Sequence, residues 1–415
     1  MEPVASSDRT QSRQAFQPWS PFGCDADAHL LDQLILLKQL FDQGKTTFAI
    51  VTHRDPDADA IAGCMGIDRL IRATLPESAR VRWLHDGSLC ASLRQVSGER
   101  SESIHNLESM IDDPSVAIVV VDQPALNVCT VLPPAMRSDP RFENRKADLI
   151  LDHHGEQRYE GGRVSCPEAG STAALICRLL DLAYYYNLTT SSLFTDGSDS
   201  RLALLLNMGA RTDAGLPVHG ELPSGASTFT RWVVEQTHCK VDPKDAALFD
   251  VLKGHAGKLL AIAREKQQVF PRVNFDGALA EIVISHAGIA DSPHCVGACA
   301  SELFKEAVSK KQGTDPVVVV MFGIIRPETS EECHTLHTGE TIHVSIRSEE
   351  GVSAEKIAHR LSSEGGGRPC AAGFQLHVPR SLENVNDEDF LTHCLKLAHI
   401  KLTWREQYSW NLDTK

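Results

Sequence analysis

Short apolar runs along this chain alternate with stretches whose apolar residues recur every three or four positions. The runs at Thr47–Thr52, Val81–Leu84, Val116–Val121 and Leu149–Leu151 predict strands, and the helical spacing over His29–Phe41, Ile61–Ile71 and Ile104–Ile111 predicts helices between them. Strands that read as unbroken Val/Ile rather than alternating with polar residues are buried on both faces. This predicts a parallel sheet covered by helices. Helices are also expected at Ser171–Leu182, with Ser171 or Thr172 as cap, and at Leu202–Met208, running on into Thr212-Asp213. The Pro/Gly-rich stretch from Leu216 to Ser227 reads as a surface loop, and Ala246–Val269 as one long helix leading to a second unit. There, strands are expected at Ala278–Ser285, Val317–Phe322, Ile342–Arg347 and Phe374–Val378. Helices are expected at Gly297–Val308 and Ala354–Leu361, with Ser353 as N-cap of the latter. The loop Arg326–Glu340 and a glycine-rich turn complete the unit. The expected class is α/β in two domains: a polar tail over 1–27, a parallel-sheet domain over 28–245, a helical linker over 246–270 and a smaller α/β domain over 271–415.

The chain's 415 residues suffice for two cores. A formal net charge of -14 argues against a coat for long duplex nucleic acid, which needs clustered Lys and Arg, and leaves room for a small anionic ligand in a local basic pocket. No run approaches the roughly 20 apolar residues of a membrane helix, and no apolar leader follows the N-terminus, so a cytoplasmic protein without membrane partners is expected. The twelve cysteines include no Cys-x-x-Cys pair. They read as reduced thiols, with Cys64 and Cys177 on apolar helix faces. Cys333, His334 and His337 lack a fourth ligand and read as a polar loop, while His294, Cys295 and Cys299 read as cap or core.

The chemistry gathers at predicted strand ends, where parallel sheets bind ligands. Asp152-His153-His154-Gly155 follows the apolar run Leu149–Leu151, so one carboxylate and two imidazoles are carried to a buried strand's tip. Unpaired, such groups cost several kcal/mol each to bury, and they normally meet a metal or a charged partner. His53-Arg54-Asp55-Pro56-Asp57-Ala58-Asp59-Ala60 joins a strand to a helix. A helix cap explains one of its aspartates but not three together with His53. Asp122 ends the Val116–Val121 run, and Thr212-Asp213 ends a helix. Either alone reads as a polar turn, and both gain weight from the company they keep.

In this order the four motifs resemble those of the DHH phosphoesterase superfamily, named for the triplet that stands here at Asp152–His154. The pattern His-x-x-Pro-Asp-x-Asp-Ala is matched from His53 to Ala60. Gly365-Gly366-Gly367-Arg368-Pro369-Cys370-Ala371-Ala372-Gly373 resembles the Gly-Gly-Gly-His-x-x-Ala-Ala-Gly signature of the DHH-associated C-terminal domain, with Arg368 in place of histidine. The resemblance spans roughly residues 30 to 400.

It implies a metal-dependent phosphodiesterase or phosphatase with its site in the cleft between two domains. His53, Asp57 and Asp122 would hold one ion, and Asp59, Asp122, His153 and Asp213 the other, with Asp122 bridging. Carboxylate and imidazole without thiolate suit two Mn²⁺ ions, with Mg²⁺ as the alternative. His154 would contact the scissile phosphate or protonate the leaving oxygen, and Asp152 would orient His153. Gly365, Gly366 and Gly367 would expose backbone N–H groups to a phosphate, with Arg368 and Arg347 adding charge. The implied substrates are short nucleotides: nanoRNA, linear dinucleotides such as pApA, or 3′-phosphoadenosine 5′-phosphate. A RecJ-like single-strand exonuclease and a non-catalytic nucleotide-binding regulator are the alternatives. A homodimer is left open.

Overall fold

The computed structural model describes residues 23–403 except for internal stretches, chiefly 190–199, 214–221, 242–256 and 327–339. Most of the expected tail, most of the Leu216–Ser227 loop, the first half of the expected linker helix, Gly155, and the Cys333, His334 and His337 cluster lie outside the described residues.

The first unit is built on a seven-stranded sheet. Its strands are β1 (Thr47–Val51), β2 (Arg80–His85), β3 (Ser101–Ser103), β4 (Val116–Val121), β5 (Leu149–Asp152), β6 (Arg158–Glu160) and β7 (Arg163–Ser165). Their order is β3-β2-β1-β4-β5-β7-β6, and every pairing is parallel except β6 with β7. All six residues of β4 are buried, as a strand covered on both faces requires. Helices α1 (Gly23–Asp42), α2 (Ala58–Thr74), α3 (Thr172–Tyr185), α4 (Ser200–Asp213) and α5 (Thr228–His238) belong to this unit. Residues of α1 to α5 share one core with the inner face of the sheet, and a second core with Ile104, Leu107 and Phe142 covers the other. The chain leaves β1 through α2 to β2 on one side and later reaches β4 on the other. This puts a crevice at the carboxyl ends of β1 and β4, where the winding reverses.

The second unit has a six-stranded sheet of order β12-β13-β11-β10-β9-β8. It comprises β8 (Gln268–Phe275), β9 (Ala278–Ala290), β10 (Val317–Ile325), β11 (Thr341–Ser348), β12 (Gly366–Arg368) and β13 (Ala371–His377). Helix α6 (257–265) precedes β8, and α7 (Pro293–Lys310), α8 (Ala354–Leu361) and α9 (Asp387–Thr403) follow in turn. Only β9 with β10 is parallel. Cys295 and Cys299 lie in the core beneath α7, and Cys64 and Cys177 in that of the first unit, as their apolar spacing predicts.

Two expectations are corrected here: α1 starts at Gly23, inside the 1–27 stretch read as a tail, and the linker helix is shorter than expected. The helix expected to run to Val269 ends by residue 265, and Gln268–Phe275 is a strand paired antiparallel with β9. Its register slips between Phe270 and Val273, at Pro271 and a left-handed Arg272 (φ 58°), which suits an edge strand with a bulge. The short strands β3, β6 and β7 have too little apolar content to be visible as a pattern.

Candidate metal centre

Motif one is the loop from β1 into α2. Asp57 is the N-cap of α2, its Oδ1 accepting from the Ala60 amide at 2.8 Å. Cap and ligand are therefore not rival roles, because a carboxylate has lone pairs to spare for a second partner. The loop is braced from β2: Asp86 accepts from Arg54 Nε at 2.8 Å, and its carbonyl accepts from the Asp55 amide. His53 Nδ1 donates to the Arg54 carbonyl at 2.8 Å, leaving Nε2 to face inward.

Three groups of ligand atoms converge: His53, Asp57 and Asp122; Asp59, His153 and Asp213; and Asp122, His153 and His154. Asp122 belongs to two of them through different oxygens. Its Oδ2 lies 3.3 Å from His53 Nε2, while its Oδ1 lies 3.4 Å from His153 Nε2. The Asp122 backbone is left-handed (φ 59°), a conformation that costs about 1–3 kcal/mol in a non-glycine residue. Burial of even one Val or Ile of β4 contributes a comparable amount, and the Asp122 amide donates to the Leu151 carbonyl at 2.9 Å, so the strain is held.

His153 is buried beneath three carboxylates: Asp213 Oδ2 at 2.9 Å, Asp122 Oδ1 at 3.4 Å and Asp59 Oδ2 at 3.6 Å. Both its ring nitrogens are nevertheless buried without a hydrogen bond, and all three approaches are to Nε2. A buried imidazole nitrogen with no hydrogen bond, ringed by anions and without thiolates nearby, fits a hard divalent cation. The oxygen-rich donor set matches Mn²⁺ or Mg²⁺ better than a thiolate-bound structural zinc.

Electrostatics agree with the geometry. Burial works to lower the imidazoles, yet Asp122 and Asp57 hold His53, and Asp213 and Asp122 hold His153, well above the ordinary range. Burial, then the charges of Asp122 and Asp213, push Asp59 well above a normal carboxylate. Burial opposes ionisation of Asp122 too, but the close approach of His153 and His53 keeps it well below. Protons on the histidines thus offset part of the negative charge of these carboxylates when no metal does so. A cation must displace them, and its apparent affinity should fall on acidification by about tenfold per pH unit for each proton displaced. Calorimetric titration of Mn²⁺ near pH 7, in two buffers of different ionisation enthalpy, should show proton release. Equal heats in both buffers would contradict it.

Asp213 reaches the cluster because α4 lies very close to the start of α2. A Cβ on Gly209, one turn before Asp213, would stand 2.8 Å from both the Asp59 Cα and its Oδ1. Gly209→Ala is expected to push α4 away, cost about 1–3 kcal/mol and weaken metal binding. A denaturation midpoint and Mn²⁺ affinity both equal to wild type would show that the approach is slack.

The expectation that Asp152 orients His153 is corrected. The Asp152 Oδ1 lies 2.8 Å from His154 Nδ1. The strand ends at Asp152, and beyond it the chain turns so that the His153 and His154 rings pack together, centroids 4.2 Å apart, with His154 the one beside Asp152. His154 is the more exposed imidazole, with 31% of its side chain accessible, and the Asp152 contact leaves its Nε2 for another partner.

The second unit touches this edge of the site. Gln375 Nε2 on β13 donates to Asp55 Oδ2 at 2.6 Å, and Asp55 is itself left-handed (φ 49°) between His53 and Asp57. The sequence marks neither Gln375 nor Asp86 and gives Asp55 no role of its own, since polar residues at ordinary spacing carry no signal until two units meet. The glycine triplet has mixed duties. A Cβ on Gly365 would lie 2.3 Å from the Ala358 carbonyl, and one on Gly367 (φ 140°) 2.5 Å from the Ala372 Cα, so these two are required by packing. Gly366 alone has open space where a side chain would be. Arg368 ends β12, and its side chain lies outside the described part. Arg347 is bound to the protein: its guanidinium donates to Ser301 Oγ, Ser345 Oγ and the Ile346 and Gly297 carbonyls, which ties β11 to α7. In this arrangement its first duty is structural.

Comparison with known proteins gives one domain-family match and one shared fold. The DHHA1 domain family matches residues 300–393. No curated protein sequence matches the chain. Among solved structures, an exopolyphosphatase-related protein from Bacteroides fragilis aligns with a TM-score of 0.56 at 15% identity, covering 91% of this chain and 98% of that one. A putative family II inorganic pyrophosphatase from Methanococcus jannaschii aligns at 0.35 and 16% identity, covering 84% of this chain and 99% of that one. RecJ from Thermus thermophilus, in complex with Mn²⁺, aligns at 0.38 and 14%, covering 93% and 56%. The chain shares its two-unit α/β fold with that exopolyphosphatase-related protein. Residues 300–393 of its second unit match the DHHA1 domain family. Among the described residues no helix is long and apolar enough to cross a membrane.

Proposed function

We propose that this protein is a metal-dependent phosphoric ester hydrolase acting on short nucleotides: nanoRNA, linear dinucleotides such as pApA, or 3′-phosphoadenosine 5′-phosphate. The observation that carries the reading is the Asp122 carboxylate, with one oxygen turned to His53 and the other to His153. His53, Asp57 and Asp122 would hold one Mn²⁺, and Asp59, Asp122, His153 and Asp213 a second. Bound there, two such ions supply Lewis acidity to the phosphate and a water acidified from a pKa of 15.7 towards about 7.

The protein's own groups do the rest. His154 donates from Nε2 to the leaving oxygen, and Asp152, against Nδ1, holds the ring in the orientation that this requires. The Gly366 backbone and Arg368 receive the far end of the nucleotide. Arginine keeps its charge at every physiological pH and grips phosphate bidentately, so the departure from histidine favours binding over proton transfer. Gln375, through Asp55, couples the nucleotide-facing sheet to the metal loop.

The test is incubation of purified protein and Mn²⁺ with labelled 2- to 10-mers, 3′-phosphoadenosine 5′-phosphate, pyrophosphate and polyphosphate. Mononucleotide or AMP release from the short substrates is expected. Turnover confined to polyphosphate, in keeping with the description of the Bacteroides fragilis protein, would overturn the nucleotide assignment. No turnover with any of them, alongside tight nucleotide binding, would favour the regulator.

A further inference from the structure

Helix α3 begins directly against the second group of ligands. The Thr172 amide donates to Asp59 Oδ2 at 2.7 Å, and the Ala173 amide to Asp59 Oδ1 at 2.7 Å. The Thr172 hydroxyl donates to Asp122 Oδ1 at 2.9 Å, and Thr172 is fully buried. Capping does not explain that hydroxyl. Ser171 is the N-cap of α3, its Oγ accepting from the Ala174 amide at 3.1 Å. Nor does packing, since the Thr172 methyl is the group that approaches the Gly63 position of α2. Valine would keep that methyl and put a second one in place of the hydroxyl, losing the hydrogen bond.

The bonds are also one-sided. Both carboxylate oxygens of Asp59, and the Asp122 oxygen that faces His153, are held by the start of α3. The Asp122 oxygen facing His53 receives nothing from it, and Asp57 is held by its own helix. We propose that Thr172 is a positioning residue that sets the unequal affinities of the two cation sites, its hydroxyl fixing Asp122 for the ion held by Asp59, His153 and Asp213 and not for the one held by His53 and Asp57. This inference rests on the two-ion reading above.

Partners of metal ligands are typically worth 10- to 100-fold in metal affinity. Thr172→Val should therefore weaken one of two Mn²⁺ sites by that factor and leave the other unchanged. Titration calorimetry reads the two affinities. Low-temperature electron paramagnetic resonance distinguishes an exchange-coupled Mn²⁺ pair from an isolated ion at matched metal loading. Thr172→Ser should restore the pair. Thr172→Ala, which puts no methyl against the carboxylate, should repeat the selective loss if the valine variant does not fold. Wild-type affinities at both sites in Thr172→Val and Thr172→Ala, or equal losses at both, would refute the assignment to Thr172 while the two-ion reading stands. Wild-type protein that binds fewer than two Mn²⁺ would remove both.

Discussion

Replacing Asp122 with asparagine is expected to lower turnover by at least about a thousandfold, roughly 4 kcal/mol of barrier, with the fold intact. The residue sits where two ligand groups join, so its charge is lost to both at once. Asparagine is a better probe than alanine for two reasons. It tolerates the left-handed backbone (φ 59°) more readily than other residues do, and its amide oxygen can still accept from Thr172. The loss should therefore be one of charge rather than structure. Metal binding should fail in parallel. A ligand at a hundred times its Kd stabilises the folded state by about 2.7 kcal/mol, so the rise in Tm that Mn²⁺ gives the wild type should largely vanish. Near-normal turnover, or an undiminished Mn²⁺ shift in Tm, would show that Asp122 does not join two ions.

The second large effect is expected at His154. Its alanine variant should lose about 10²- to 10⁴-fold in kcat with metal binding little changed, because general acid catalysis contributes in that range. The reason lies in placement: His154 faces outward, is held through Nδ1 by Asp152, and is the least buried of the site's imidazoles. An ester whose leaving group needs no proton, such as a p-nitrophenyl phosphodiester, should suffer far less from the substitution. If both kinds of ester lost activity equally, His154 would be acting in binding or ligation instead. Asp152→Asn should give a smaller loss of the same kind.

Much of this was legible in the chain. Unbroken Val/Ile runs announced a covered parallel sheet, since period and composition alone decide which faces a strand buries. The clusters at His53–Ala60 and Asp152–His154 announced chemistry, because several buried charges in a few residues have few other uses. Local reading failed where a strand was short or irregular. The polar β3, β6 and β7 have too few residues to show a period, and β8 hides behind Pro271 and a helix that seemed to continue.

Residue types and their place at strand ends are properties of the sequence, and through them the sequence alone determined the fold class, the candidate ligands and the site's position in the sheet. Only the folded chain decided which oxygen of Asp122 faces which imidazole, that Asp152 serves His154, that Arg347 is engaged by α7, and that Thr172, Gly209 and Gln375 belong to the site at all. Apart from the Asp152–His154 pair, these are contacts between residues from tens to hundreds of positions apart. They depend on distances of a few tenths of an ångström and on the direction of single bonds, which no local pattern encodes and which close packing of helices and sheet brings about.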